Sequence, residues 1–159
     1  MQQPSGTHLA QINIARGFAA VDSPEMKGFA ERIDAVNAIA ERSEGFVWRF
    51  TGETGQATDV RFTNDPRDLL NISVWETPKH LADFVFNTAH RKVYARKAEW
   101  FEAPKGPTFA MWWIKAGEIP TPGEALDRLE HLRAHGSSPE AFTWADLPEA
   151  KAILERRCA

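Results

Sequence analysis

Polar and apolar residues alternate from His8 to Ala15 (HLAQINIA), the period of a half-buried strand. Ser23-Pro24 then reads as an N-cap with proline at the first helical position. Met26, Phe29, Ile33, Val36 and Ala40 recur at helical spacing, and Gly45 marks the stop. Phe46 to Phe50 (FVWRF) is a short strand, Gly52 to Gly55 (GETG) a turn, and Ala57 to Arg67 a polar loop or irregular strand. Leu69 to Glu76 is the next strand, and its period of two puts Asn71, Ser73 and Trp75 on one face. Thr77-Pro78 opens a second helix that runs, with a break, to about Trp100. Thr108 to Lys115 (TFAMWWIK) is a fourth strand. Thr121-Pro122-Gly123-Glu124 is a capping-box start to a helix that buries Ala125, Leu126, Leu129 and Leu132 and stops at Gly136. Pro148 to Arg157 is a possible last helix.

The order strand, helix, strand, strand, helix, strand is the ferredoxin-like split β-α-β-β-α-β pattern of an α+β fold. Its core spans about residues 7–115 and a C-terminal helical extension about 120–159, all expected as one domain. Apolar residues occupy both parities of the strands: Phe46, Trp48 and Phe50 against Val47, and Phe109, Met111 and Trp113 against Ala110, Trp112 and Ile114. A sheet apolar on both faces is covered on both. Two helices cover one face, so the simplest cover for the other is a second copy, and the pattern predicts a homodimer.

Composition removes several function classes. The net charge of −3 supplies no basic excess to neutralise phosphates, so no nucleic-acid partner is expected. No apolar stretch approaches the roughly 20 residues of a membrane helix, so no membrane partner is expected either. The N-terminal MQQPSGTHLA lacks the basic start and apolar run of a signal peptide. With one cysteine, Cys158, no intrachain disulfide can form. These features fit a cytoplasmic protein. Six Trp and ten Phe against one Tyr is a heavy aromatic load, suited to core or to dimer interface.

The richest stretch is Asn71 to Tyr94 (NISVWETPKHLADFVFNTAHRKVY). Asn71 and Trp75 share a strand face that lies beneath a helix bearing Phe84 and His90, and together they can line a pocket with a flat apolar wall and a few polar handles. Such a pocket suits an aromatic small molecule or a planar cofactor. Asn71 would hydrogen-bond a substrate oxygen or else satisfy backbone at a strand edge. Trp75 would wall the ring or fill core. His90 would move protons or, at a helix end, pair with the dipole. His8, opening the first strand, is a second proton-moving candidate. Trp48 and Trp113 are further wall candidates, or else core or interface. His131 and His135 have the i, i+4 spacing of a metal pair, but no third ligand accompanies them and a solvated helix face explains them better. Arg91-Lys92 and Arg96-Lys97 form a basic stripe of the solvated kind. GETG lacks the context of a phosphate cradle, and no nucleophile or dinucleotide motif is present.

With GFVWRF, a strand ending SVWE and a helix ending TAHRKV, the order resembles the dimeric α/β-barrel superfamily over about residues 8–115. Within it the look is of antibiotic-biosynthesis-type and haem-degrading monooxygenases. More narrowly, HLAQINIAR, GFVWRF, NISVWE and RLEHLRAHG resemble a bacterial family filed as a domain of unknown function, over roughly residues 7–145. The first likeness implies a cofactor-independent enzyme using Asn71 and Trp75, which match an Asn and a Trp four residues apart on the third strand, though no Tyr or Arg partner is placed. The second implies a haem protein with Asn13, Phe84 and His90 in the pocket and His90 on the iron; here the sequence departs in having Phe for Trp and a shorter interval to the histidine. The leading expectation is thus a monooxygenase-like oxidoreductase acting on an aromatic or polyketide-like substrate, with no metal and no cofactor. The alternatives are a haem protein and a non-catalytic small-molecule binder.

Overall fold

The computed structural model describes residues 1–51, 62–150 and 152. Among the described residues, four strands, β1 (Thr7–Arg16), β2 (Phe46–Arg49), β3 (Asp68–Trp75) and β4 (Phe109–Lys115), form an antiparallel sheet in the order β2-β3-β1-β4. Among the described residues they are accompanied by the α-helices α1 (Lys27–Arg42), α2 (Pro78–Asn87), α3 (His90–Ala95) and α4 (Pro122–His135). This is the ferredoxin-like α+β arrangement the alternation predicts. The GETG turn and residues 57–61 lie outside the described residues, as does most of the last predicted helix, of which 148–150 and 152 are helical.

Capping chemistry accounts for the helix limits. Ser23 holds the N-cap position, with Pro24 after it, of a 3-10 turn, Pro24–Met26, that precedes α1; its hydroxyl donates back to the Ala20 carbonyl and makes no capping bond. The Thr77 hydroxyl accepts from the His80 amide to open α2. The expected break falls at Thr88, which serves both sides of it. Its Oγ1 donates to the Phe84 carbonyl at 2.6 Å and accepts from the His90 amide at 3.2 Å, so one residue in extended conformation ends α2 and starts α3. Thr121 accepts from the Glu124 amide at 3.1 Å, and α4 ends at Gly136 with φ +74°. Gly45 also needs a positive φ (+73°), and a Cβ there would stand 1.9 Å from His80 Nδ1.

Both sheet faces are covered within the chain. Beneath α1 and α2, Leu9, Trp75 and Met111 pack with Ala40, Leu81 and Phe84. On the second face, Ala10, Ile12, Ile72, Val74 and Trp112 pack against Ala125, Leu129 and Leu132 of α4. The C-terminal helix therefore does part of what a second copy was expected to do. Over the β2 side, Trp48, Phe50 and Phe62 are only partly buried.

Strand β2 departs from simple alternation. A bulge between Phe46 and Trp48 shifts the register, so Phe46 faces α1 and α2 beside Trp75 while Trp48 lies on the α4 face opposite Val74. The C-terminal segment then crosses from one face to the other. Met111 and Phe142 exchange two 2.9 Å backbone hydrogen bonds along the outer edge of β4. Ala141 joins the α4 face, whereas Phe142, Leu147 and Ala150 join the opposite one. Among the described residues, no helix is long and apolar enough to cross a membrane.

Candidate functional site

The register of β1 on β3 assembles polar side chains that the sequence leaves 60 residues apart. Gln11 lies opposite Ser73, and Asn13 opposite Asn71, all on the face turned towards α1 and α2. Gln11 Nε2 donates to Asn71 Oδ1 at 2.6 Å and to Ser73 Oγ at 2.8 Å. Trp75 Nε1 donates to the same Ser73 oxygen at 2.9 Å. Gln11 and Ser73 are buried, at 5% and 7% exposure. A buried polar group left unpaired costs about 1–3 kcal/mol, and these bonds remove that cost. Asn71, at the end of the network, is exposed. On β2, Arg49 lies opposite Ser73 and reaches Glu41 of α1 at 2.7 Å.

Next to this amide strip stands a column of rings. Phe46 meets Trp75 edge-on at 5.4 Å, Trp75 stacks on Phe84 at 5.2 Å, Phe84 touches His90 at 5.0 Å, and His90 stacks on Tyr94 at 6.2 Å. Trp75 is fully buried. Its indole is core, with its N–H committed to Ser73, rather than an open wall. Four residues of strand separate Asn71 from Trp75 by about 13 Å, so the two residues cannot hold the same ligand atom. His90 Nδ1 lies 3.2 Å from the Val85 carbonyl. Burial lowers the His90 pKa from its ordinary value, and the Val85 contact opposes that only in part. The ring is therefore neutral at pH 7, while its Nε2 makes no hydrogen bond among the described residues and is not sealed from solvent. The break at Thr88 is what carries His90 back over Phe84.

On the far side of Asn13, Phe109 stacks on Trp144 at 5.8 Å, and Trp144 also meets Phe86 of α2. The C-terminal segment thus lends an aromatic wall to the same face.

The other expected residues lie elsewhere. His8 pairs with Ile114 on the α4 face, and its Nδ1 is buried without a partner. The sheet separates both His8 and Trp48 from Asn71. Trp113 faces α1 and α2 but sits at the β4 edge against Phe142. His131 and His135 hold their rings 4.7 Å apart, His131 Nε2 meets Ser138 Oγ at 3.1 Å, and among the described residues no group of three metal-ligating side chains occurs. The basic Arg91 and Lys92 line an open groove of about 590 Å³ with Asn87 and Thr88. Sequence reasoning missed Gln11. Its signal was present, since a polar residue shares the parity of Leu9, but only the β1–β3 register reveals its partners.

The sheet order and the helices on it define a ferredoxin-like α+β protein with an amide strip between sheet and helices. The chain belongs to the family described as Domain of unknown function (DUF3291), which it matches over residues 8–158. No curated protein matches it. Among solved structures, it is similar to the NE2512 protein of unknown function from Nitrosomonas europaea, with 13% identity, 74% of this chain and 99% of that one covered, and a TM-score of 0.50. It is also similar to a provisionally named antibiotic biosynthesis monooxygenase from the same organism, with 17% identity, coverage of 76% and 99%, and a TM-score of 0.44. A similarly named protein from Chloroflexus aurantiacus J-10-fl shows 14% identity, coverage of 72% and 97%, and a TM-score of 0.41. At these identities the likeness is one of fold.

Proposed function

We propose that the protein is a small-molecule enzyme of the monooxygenase-like kind, taking an electron-rich aromatic or polyketide-like substrate over Asn13 and Asn71 without a metal. The observation that carries this reading is the exposed Asn71 amide, held by a buried glutamine beside a column of rings. In such chemistry a base removes a proton from an activated ring CH₂. The resulting carbanion gives its electrons to dioxygen and forms a C–O bond. The hydroperoxide then loses water to leave a carbonyl, so that CH₂ and O₂ become C=O and H₂O. The protein's part is to orient the substrate, to stabilise the anion with the Asn71 amide and to accept the proton. His90 is the candidate base on this face; Phe84 stands between it and Trp75, so it would act on a substrate that extends past Phe84.

The test uses quinols, anthrones and related aromatics, read by thermal shift and by oxygen uptake. Wild type is expected to be stabilised by a subset and to consume oxygen with it. Asn71 is exposed, so Asn71→Ala is expected to cost only about 1 kcal/mol, a few degrees of melting temperature, and to lose the ligand response. A large loss of stability with an unchanged ligand response would make Asn71 structural. Binding without oxygen uptake would make the protein a non-catalytic binder.

A second reading, haem with His90 on the iron, is favoured by the neutral ring and open Nε2. The rest of the donor set fits poorly: Phe84 fills the space between His90 and Trp75, and Asn13 sits apart on the sheet floor. Haemin titration decides between them. A sharp Soret band at one equivalent, lost in His90→Ala and kept in His135→Ala, would displace the metal-free reading.

A further inference from the structure

The hydrogen bonds around Gln11 leave a definite remainder. Gln11 uses its Nε2 on Asn71 Oδ1 and Ser73 Oγ, so the group it has left is its Oε1, an acceptor. Asn71 uses its Oδ1, so the group it has left is its Nδ2, a donor. Gln11 Oε1 is not among the sealed, unpartnered atoms, and Asn71 is exposed. Ser73 Oγ must accept from Trp75, because an indole N–H can only donate. If both amides were turned over together, the Ser73 hydroxyl would donate to Gln11, and the remainder would be a donor on Gln11 and an acceptor on Asn71. Either way Gln11 and Asn71 between them offer one donor and one acceptor, which exchange only as a unit; in the first arrangement the Ser73 hydroxyl hydrogen is left over as well.

We propose that Gln11 is a positioning residue that fixes the polarity of Asn71, and that the strip recognises a planar ligand whose edge carries a hydrogen-bond donor beside an acceptor, such as a lactam or a hydroxy-carbonyl pair. This rests on the small-molecule reading above and adds its selectivity rule. A ligand edge with two acceptors leaves one buried protein group unpaired, and a site built on hydrogen bonds rejects such an analogue strongly.

The probes are 2-quinolone, which carries N–H beside C=O, N-methyl-2-quinolone, which lacks the donor, and quinoline. Dissociation constants would be measured by calorimetry on wild type, Gln11→Met and Asn71→Ala, with a melting curve for each protein. Wild type is expected to prefer 2-quinolone over its N-methyl analogue by about tenfold or more. In both variants that ratio should fall to within about twofold, whatever happens to absolute affinity. A merely structural Gln11 would weaken all three probes alike and keep the ratio, which would overturn the proposal. Equal binding of 2-quinolone and its N-methyl analogue by wild type would remove the selectivity rule and leave the small-molecule reading standing. Failure of all three to bind at millimolar concentration would remove the amide strip as a ligand site, and the proposed function with it. Should Gln11→Met not fold, Asn71→Ala at the exposed end of the network gives the same ratio.

Discussion

Burial sets the charge on His90. Desolvation lowers its pKa in the folded chain, whereas the unfolded chain titrates near the ordinary value of about 6.5. Above that pH the ring is neutral in both states and adds no pH dependence. Below it the unfolded chain gains a proton that the folded chain refuses, so stability falls as the pH drops. His90→Gln is therefore expected to lose less melting temperature between pH 7 and pH 5 than wild type, whatever its stability at pH 7. Parallel curves would mean that His90 does not carry this dependence. Gln11 shows why part of the site was not legible from the chain. A glutamine between Leu9 and Asn13 reads as one polar position in an alternating strand, and nothing local says that Ser73 and Asn71 come to lie against it. Asn71 and Trp75 were legible as one face, but alternation cannot tell that Phe46 and Phe84 close over the tryptophan and leave the asparagine open.

At the scale of elements, the strands and helices follow from periodicity, and the departures each have a local cause. The second helix was expected to break, and the break before His90 falls at Thr88, whose hydroxyl serves the last turn of one helix and the first of the next. The bulge in β2 was not readable. It comes from pairing with β3, and it divides Phe46 and Trp48 between faces that strict alternation would have made one. The α1–β2 junction makes a sharp prediction. Gly45 has φ +73°, and His80 fills the space where its Cβ would stand. Gly45→Ala is expected to cost about 3 kcal/mol from left-handed strain and overpacking together, or roughly 6–12 °C in melting temperature. His80→Ala added to it should restore the packing part and leave the backbone part. Additive losses in the double variant would show that the contact with His80 is not the cause.

At the scale of the molecule, we propose that the chain forms a homodimer through the part of the second face that α4 leaves thinly covered, near Trp48, Phe50 and Phe62. Light scattering should then give about twice the 17.9 kDa chain mass, and Trp48→Glu should shift it towards one. A clean monomer of wild type at micromolar concentration would mean that α4 and its neighbours suffice to cover the sheet. The need for a cover was legible in the doubly apolar strands; which segment provides it was not, because α4 is amphipathic whichever face it meets.

The strand order also sets a schedule for folding. The first strand of the chain is an inner strand of the sheet, and Leu9 pairs with both Trp75 and Trp113. During synthesis β1 can do no more than wait, since its second neighbour emerges about a hundred residues later. At translation rates of roughly 5–20 residues per second, β1 stands with one side unpaired for several seconds. Contacts this distant in sequence also slow closure once the chain is complete. The interval in which nascent chains can pair wrongly is therefore fixed by topology.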